Sequence, residues 1–130
     1  MRRTVGTTTV ALLVVLIMPF SAAAESGAGT DSEIKRGDCS GAATWRLKAS
    51  PENGRIEVDA AVDSAGPGEE WKWRLLHNDS VTARNDATTK GPDGVFDIER
   101  TVVDLKGGDE LKFVARNTES DERCSGTLIF

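Results

Sequence analysis

Apolar and polar residues alternate with a period of two in the middle of the chain. Trp71, Trp73 and Leu75 fall on one side of this stretch, whereas Lys72 and Arg74 fall on the other. Such alternation is typical of a β-strand with one buried and one solvated face. Two tryptophans within three residues belong either to a core or to an exposed binding platform. Their burial therefore decides much of what can be inferred about function.

Further stretches alternate in the same way, and turn signals rich in Gly, Pro, Asn and Asp separate them. The predicted strands cover residues 43–49, 55–63, 70–77, 80–88, 95–103, 110–117 and 124–130. The polar strand 80–88 is expected at a sheet edge. A bulge or a sheet switch is expected near Arg100-Thr101, because the apolar phase changes there. About seven short strands predict an all-β fold, a single immunoglobulin-like or fibronectin III-like β-sandwich.

The apolar positions of these strands are expected to share one core. The predicted core residues are Trp45, Leu47, Ile56, Val58, Trp71, Trp73, Leu75, Phe96, Ile98, Leu111, Phe113 and Leu128. The chain has only four Phe and no Tyr, so a core without its three Trp would be short of apolar area. We therefore favour a core position for the tryptophans over a flat platform that stacks on sugar rings.

The N-terminus has the pattern of a signal peptide. Arg2 and Arg3 supply positive charge, residues 10–20 are apolar, and Ala22 and Ala24 give the small-x-small pattern that a signal peptidase requires. We predict cleavage after Ala24, with an uncleaved anchor as the alternative. The predicted organisation is a signal peptide over 1–24, a flexible leader over 25–38 and a β-sandwich domain over 39–130.

Charge and cysteine usage narrow the class of protein. The net charge is −5 and becomes −7 once Arg2 and Arg3 are removed. An acidic secreted domain repels nucleic acid and anionic lipid, so we expect neither as a partner, and we expect a monomer. Cys39 and Cys124 are the only cysteines, which in an exported protein indicates one disulfide. It would contribute roughly 4–5 kcal/mol and would bring the first and last strands side by side.

The sequence offers little catalytic chemistry. The only histidine, His77, is either a general base or metal ligand or, as we favour, a solvent-reachable residue beside a turn. No nucleophile motif or zinc-ligand spacing is present, and no acid stands in an apolar setting that would raise its pKa. A loop calcium site near Asp86 or Asp93 is conceivable but lacks the usual spacing. We therefore predict a non-enzymatic protein with no cofactor and no metal.

Several short motifs follow one another from Cys39 onward. They are Cys39-Ser40-Gly41, Trp45-Arg46-Leu47, Gly54-Arg55-Ile56-Glu57-Val58, Trp71-Lys72-Trp73-Arg74-Leu75, His77-Asn78, Phe96-Asp97-Ile98-Glu99-Arg100 and Cys124-Ser125-Gly126. With them the chain resembles a group of small secreted actinobacterial proteins without an assigned function. The resemblance implies an exported β-sandwich with one disulfide and transfers no catalytic residues.

In layout the chain is also similar to the cellulose-binding modules of actinobacterial hydrolases and to small enediyne-carrying apoproteins. It departs from the former because Trp71 and Trp73 share a face with Leu75, and from the latter because it has one disulfide where they have two.

The sequence thus favours a secreted interaction module that binds an unknown extracellular protein or glycan. Lys72, Arg74 and His77 are the candidate binding residues. One alternative is a free-standing carbohydrate-binding protein that uses surface Trp. Another is an inhibitor or small-ligand carrier whose contact surface includes residues 82–94.

Overall fold

The computed structural model describes residues 31–130, which form two packed antiparallel β-sheets. Sheet A has the strand order β1-β2-β3-β6, and sheet B has the order β5-β4-β7-β8. The strands are β1 (Glu33–Asp38), β2 (Thr44–Glu52), β3 (Arg55–Asp63), β4 (Glu70–His77), β5 (Ser80–Thr88), β6 (Val95–Val103), β7 (Glu110–Asn117) and β8 (Arg123–Ile129). The predicted β-sandwich is confirmed, whereas the predicted signal peptide and residues 25–30 of the leader lie outside the described residues.

Four hairpins and three crossings connect the sandwich. β1–β2, β2–β3, β4–β5 and β7–β8 are hairpins, and the chain changes sheet after β3, β5 and β6. Such crossings are the Greek-key connections of immunoglobulin-like sandwiches. Asn53-Gly54 turns the β2–β3 hairpin and Asn78-Asp79 turns the β4–β5 hairpin, with positive φ at both central residues, as tight two-residue turns require.

Strand β1 corrects the predicted start of the ordered domain. The flexible leader predicted over 25–38 is wrong for Glu33–Asp38, which pair with β2 along their whole length. Nearly all side chains of β1 are exposed, so backbone hydrogen bonds to the edge of sheet A hold the strand. An edge strand of this kind has no apolar alternation that a sequence pattern could reveal.

The inner faces of the two sheets form one core. All the predicted core residues are buried except Trp45, which is half-buried. The indole of Trp45 lies against the backbone of Gly37 in β1 and Gly126 in β8, and a Cβ at either glycine would overlap it. Trp45 therefore fills the gap between the edges of the two sheets, a position that only glycine neighbours allow.

The disulfide joins the sheets at this same edge. Cys39 lies in the connection between β1 and β2, and it bonds to Cys124 at the start of β8. Beside it the Ser40 N–H donates to the Arg123 carbonyl at 2.7 Å, and the Arg123 N–H donates to Ser40 Oγ at 2.8 Å. The predicted pairing of the bond is confirmed. The expectation that the first and last predicted strands lie side by side is wrong, because β2 and β8 belong to different sheets.

Two smaller features complete the architecture. β6 pairs with β3 along its whole length without a register shift, so neither the bulge nor the sheet switch expected near Arg100-Thr101 is present in this pair. A register shift occurs instead between Leu75 and Leu76 of β4, in its pairing with β5. No helix in residues 31–130 has the length and apolar character to span a bilayer.

Candidate functional site

The two central tryptophans belong to the interior. Trp71 is 0% exposed and Trp73 is 4% exposed. Their rings pack at tilted angles on Phe96 and Phe113, with centroid distances of 6.0 Å and 6.5 Å, respectively. The guanidinium of Arg100 covers Trp73 at 5.0 Å from the ring centroid. Neither ring can stack on a sugar, so a carbohydrate platform built on this pair is ruled out.

His77 is half-buried and pairs with a buried carboxylate, whereas a solvent-reachable residue beside a turn was expected. Its Nε2 lies 2.6 Å from Oδ1 of Asp109, and the two side chains are only 11% and 1% exposed. The same carboxylate oxygen accepts a hydrogen bond from the Leu105 N–H at 3.2 Å. Burial by itself would raise the pKa of Asp109, but the hydrogen bonds from His77 and Leu105 outweigh burial and lower it.

The Asp109 backbone adds a second connection. Its N–H donates to the Phe130 carbonyl at 3.1 Å, and its carbonyl accepts from the Phe130 N–H at 2.9 Å. The His77–Asp109 pair thus ties the end of β4 to the loop before β7 and to the C-terminal residue. Asp109 follows Gly107-Gly108 in a predicted turn, so no pattern in the sequence distinguished it from the exposed acids.

Lys72 and Arg74, the other two candidate binding residues, lie on the solvent side of sheet B and belong to a larger set of cations. Side chains from all four strands of this sheet contribute to it. We call this surface the basic face, and it consists of Lys72, Arg74, Arg84, Lys112, Arg116 and Arg123.

The strand register places these cations next to one another. Arg74 is directly opposite Arg84 on β5, Lys72 is opposite Arg116 on β7, and Arg116 is in turn opposite Arg123 on β8. Like charges directly opposite on neighbouring strands are destabilising. The arrangement therefore does not serve the stability of the sheet, and this directs attention to a ligand.

Only part of this charge is neutralised. Lys72 Nζ lies 3.3 Å from Asp86 Oδ1, and Arg116 Nη1 lies 2.8 Å from Asp121 Oδ1. Arg74, Arg84 and Arg123 form no ion pair with any residue of 31–130. Both existing pairs are largely exposed, and exposed pairs contribute little stability.

The basic face surrounds a shallow depression of about 260 Å³. Val114, which is half-buried, lies between Arg74 of β4 and Ser125 of β8 in the strand register. The depression is lined by Lys72, Trp73, Arg74, Arg84, Val114, Arg116 and Arg123. A shallow surface with an apolar centre and a cationic surround can bind an anionic ligand, to which the arginine side chains can donate several hydrogen bonds.

The sequence identified only two of these six cations, for a clear physical reason. They are scattered over four strands, and only the register brings them together. Arg84 had a separate signal, because it belongs to a strand whose polar pattern already indicated an edge. Residues 82–88 of the alternative contact surface lie in this strand, and the loop part begins at Thr89.

The outer face of sheet A carries a contrasting cluster. Carboxylate oxygens of Glu57, Asp59 and Glu99 all lie within 4.8 Å of one another. A hydrogen bond with Glu52 and the charge of that residue raise the pKa of Glu57, while burial and the charge of Glu57 raise the pKa of Asp59. The sequence predicted no acid whose apolar setting raises its pKa. Burial is the largest cause of the raised pKa of Asp59, whereas the raised pKa of Glu57 comes mainly from Glu52. Exposed acidic groups often cluster without a bound ion, so the cluster indicates repulsion and nothing more.

Comparison with known proteins found no matching family model, no similar curated protein and no similar solved structure. Any function must therefore be argued from the residues of this chain.

Proposed function

We propose that this protein is a secreted, non-enzymatic interaction module that binds an extracellular ligand on the basic face of sheet B. The observation that supports this proposal most directly is the set of like-charged neighbours, Arg74 with Arg84 and Arg116 with Lys72 and Arg123. A chain with a net charge of −5 has ample carboxylates to separate its cations. Placing six of them side by side on one face costs stability and creates a local positive potential that attracts anions.

Two features support the extracellular part of the proposal. The signal-peptide pattern over 1–24 predicts export, and the Cys39–Cys124 disulfide is consistent with an oxidising compartment. The resemblance to small secreted actinobacterial proteins agrees with both and stays a prediction.

The chemistry of the described residues supports a binding role over catalysis. His77, the only histidine, is held by the buried Asp109. The guanidinium groups of the basic face are planar arrays of hydrogen-bond donors, which serve recognition better than proton transfer.

Export is tested by expressing the full chain with its own N-terminus and analysing the culture medium by mass spectrometry. We expect a secreted chain that begins at Glu25, with its cysteines joined. A chain retained inside the cell with free thiols would contradict the extracellular part of the proposal.

The binding face is tested by chromatography of the secreted protein on a carboxymethyl cation exchanger at neutral pH and low salt. Although its net charge is negative, the protein should be retained through the basic face. The triple variant Arg74→Gln, Arg84→Gln, Arg123→Gln should flow through. The matched control Arg36→Gln, Arg46→Gln, Arg55→Gln changes three exposed arginines of sheet A by the same charge and should still be retained. Equal behaviour of the two variants would refute the proposed face.

A further inference from the structure

The basic face differs from a site for a single small anion. Its cations are distributed over four adjacent strands, which lie about 4.8 Å apart. Lys72, Arg116 and Arg123 form one row across three strands, and Arg84 with Arg74 forms part of a second row. The depression between them is shallow and open to solvent. A ligand that engages both rows must carry several anionic groups at intervals of a few ångströms, as a linear polyanion does.

The side chains within the depression indicate what the polymer is made of. Four of the six cations are arginines, whose planar forks match carboxylate groups through two parallel hydrogen bonds. Val114 supplies an apolar centre. Beside the depression, the exposed hydroxyls of Ser125 and Thr127 lie on β8, opposite Val114 and Lys112 of β7. An apolar patch beside hydroxyls and guanidinium groups complements a sugar ring that has a C–H face, hydroxyl groups and a carboxylate.

The margins of the basic face disfavour broad anionic surfaces. Asp86 lies at the β5 edge and Asp121 lies in the turn between β7 and β8, and both carboxylates are exposed. A flat bilayer or a nucleic-acid duplex would cover both of these acids at once. Because each acid already neutralises one cation of the basic face, such a broad surface would be attracted only weakly. A single slender chain that lies across the strands between the two acids can engage Arg74, Arg84 and Arg123, which form no ion pair within residues 31–130.

We propose that the basic face binds a linear acidic polysaccharide whose sugars carry carboxylate groups, with Arg74, Arg84, Arg116 and Arg123 pairing with the carboxylates and Val114 contacting a sugar ring. This inference rests on the proposed function and names the class of its ligand. It replaces stacking on exposed tryptophan with charge recognition as the means of binding sugar.

The test measures binding of the secreted, disulfide-bonded protein to polygalacturonate by isothermal titration calorimetry. Binding should weaken by tenfold or more between roughly 50 and 200 mM salt, because several ion pairs form. Fully methyl-esterified polygalacturonate keeps the sugar rings but lacks the charge, and it should not bind. Equal binding of the esterified polymer would overturn the role of the carboxylates.

Substitutions on the basic face test whether polygalacturonate binds there. Arg74→Gln, Arg84→Gln, Arg123→Gln should weaken polygalacturonate binding by at least about tenfold, whereas the sheet A control Arg36→Gln, Arg46→Gln, Arg55→Gln should leave it unchanged. Val114→Thr replaces one methyl group by a hydroxyl of similar shape. It should weaken binding of the sugar polymer by about fourfold and leave any residual binding of polyphosphate unchanged. Equal effects of the two triple variants would place the site elsewhere.

Two competing ligands complete the design. Polyphosphate and vesicles of anionic phospholipid should bind more weakly than polygalacturonate, and binding of either at equal or greater strength would overturn the assignment. Retention on the cation exchanger without binding of polygalacturonate would defeat this inference and leave the proposed function intact. Loss of both would defeat the proposed function as well.

Discussion

The two faces of strand β4 have opposite properties. On the inner face Trp71, Trp73 and Leu75 are buried among apolar side chains, whereas on the outer face Lys72 and Arg74 are exposed beside other cations. The inner residues stabilise the sandwich by removing apolar area from water, and the outer residues repel their neighbours. Stability and binding are therefore assigned to alternate residues of one strand, and changes on the two faces should have separable effects.

The same division extends across sheet B. Phe113 and Ala115 of β7 and Gly126 of β8 point into the core, while Arg116 and Arg123 point outward. Because the side-chain period is two, a slip of one residue in any pairing would exchange the faces and bury the cations. The disulfide at Cys124 holds β8 against such a slip.

The largest effect is expected when Trp71 is changed. Trp71→Ala should lower the free energy of unfolding by about 3–5 kcal/mol because it leaves a large cavity. The value should fall near the lower end, since Trp71 Nε1 is buried without a hydrogen-bond partner in residues 31–130 and its removal also removes that penalty. Lys72→Ala, the adjacent change on the outer face, should shift stability by less than about 0.5 kcal/mol. Urea denaturation measures the free energy of unfolding of both variants. Similar losses for Trp71→Ala and Lys72→Ala would contradict the difference between the two faces of β4.

A second inner-face prediction concerns Gly126. Gly126→Ala places a methyl group against the indole of Trp45 and should destabilise the protein by about 1–3 kcal/mol through overpacking. Ser125→Ala, one residue away on the outer face, should be nearly neutral. Thermal unfolding checks both variants. Gly126→Ala should cost less stability in a Trp45→Leu background than in the wild type. An equal cost in both backgrounds would show that the indole is not what the methyl group meets.

The third prediction concerns the His77–Asp109 pair at the end of β4. The pKa of Asp109 is lower in the folded protein than its ordinary value of 3.8, so the charged carboxylate stabilises the fold at every pH above 3.8. This stabilisation is lost as the pH falls from 3.8 through the lower pKa of the folded state. Asp109→Asn should cost about 1–3 kcal/mol at neutral pH and should remove this part of the acid sensitivity. Asp79→Asn lies in an exposed turn that suits Asn and serves as the control. Acid unfolding curves of equal steepness for wild type and Asp109→Asn would contradict the assignment.

Much of the interior could be predicted from the sequence because burial repeats with a local period. Leu47, Val58, Trp71 and Phe113 each lie in an alternating stretch, and the alternation alone indicated their burial. β1 could not be predicted, since its pairing with β2 depends on backbone hydrogen bonds that leave no trace in side-chain polarity.

The candidate site was harder to predict from the sequence for a related reason. Arg74 and Arg123 are far apart in the chain, and they share one face only because β4 pairs with β7 and β7 with β8. Asp109 was also missed, because burial of a carboxylate after two glycines depends on His77, a partner from another strand. Side chains that become neighbours only through strand register or a long-range hydrogen bond have no local pattern to reveal them.

The smallest expected effect lies on the outer face and is a gain of stability, in contrast to the losses expected on the inner face. Arg84→Gln removes one of two like charges directly opposite each other and should stabilise the protein by about 0.2–1 kcal/mol at low salt. The gain should fade at high salt, where exposed charges are screened, and Arg84→Lys, which keeps the charge, should show little of it. Denaturant unfolding at two salt concentrations measures these differences.

Because removal of the same charge should also weaken retention on the cation exchanger, a variant that is both more stable and less well retained would show that the outer face is arranged for a ligand at the expense of the fold. A loss of stability in Arg84→Gln would instead indicate that Arg84 supports the sheet, and the separation between the two faces would not hold at β5.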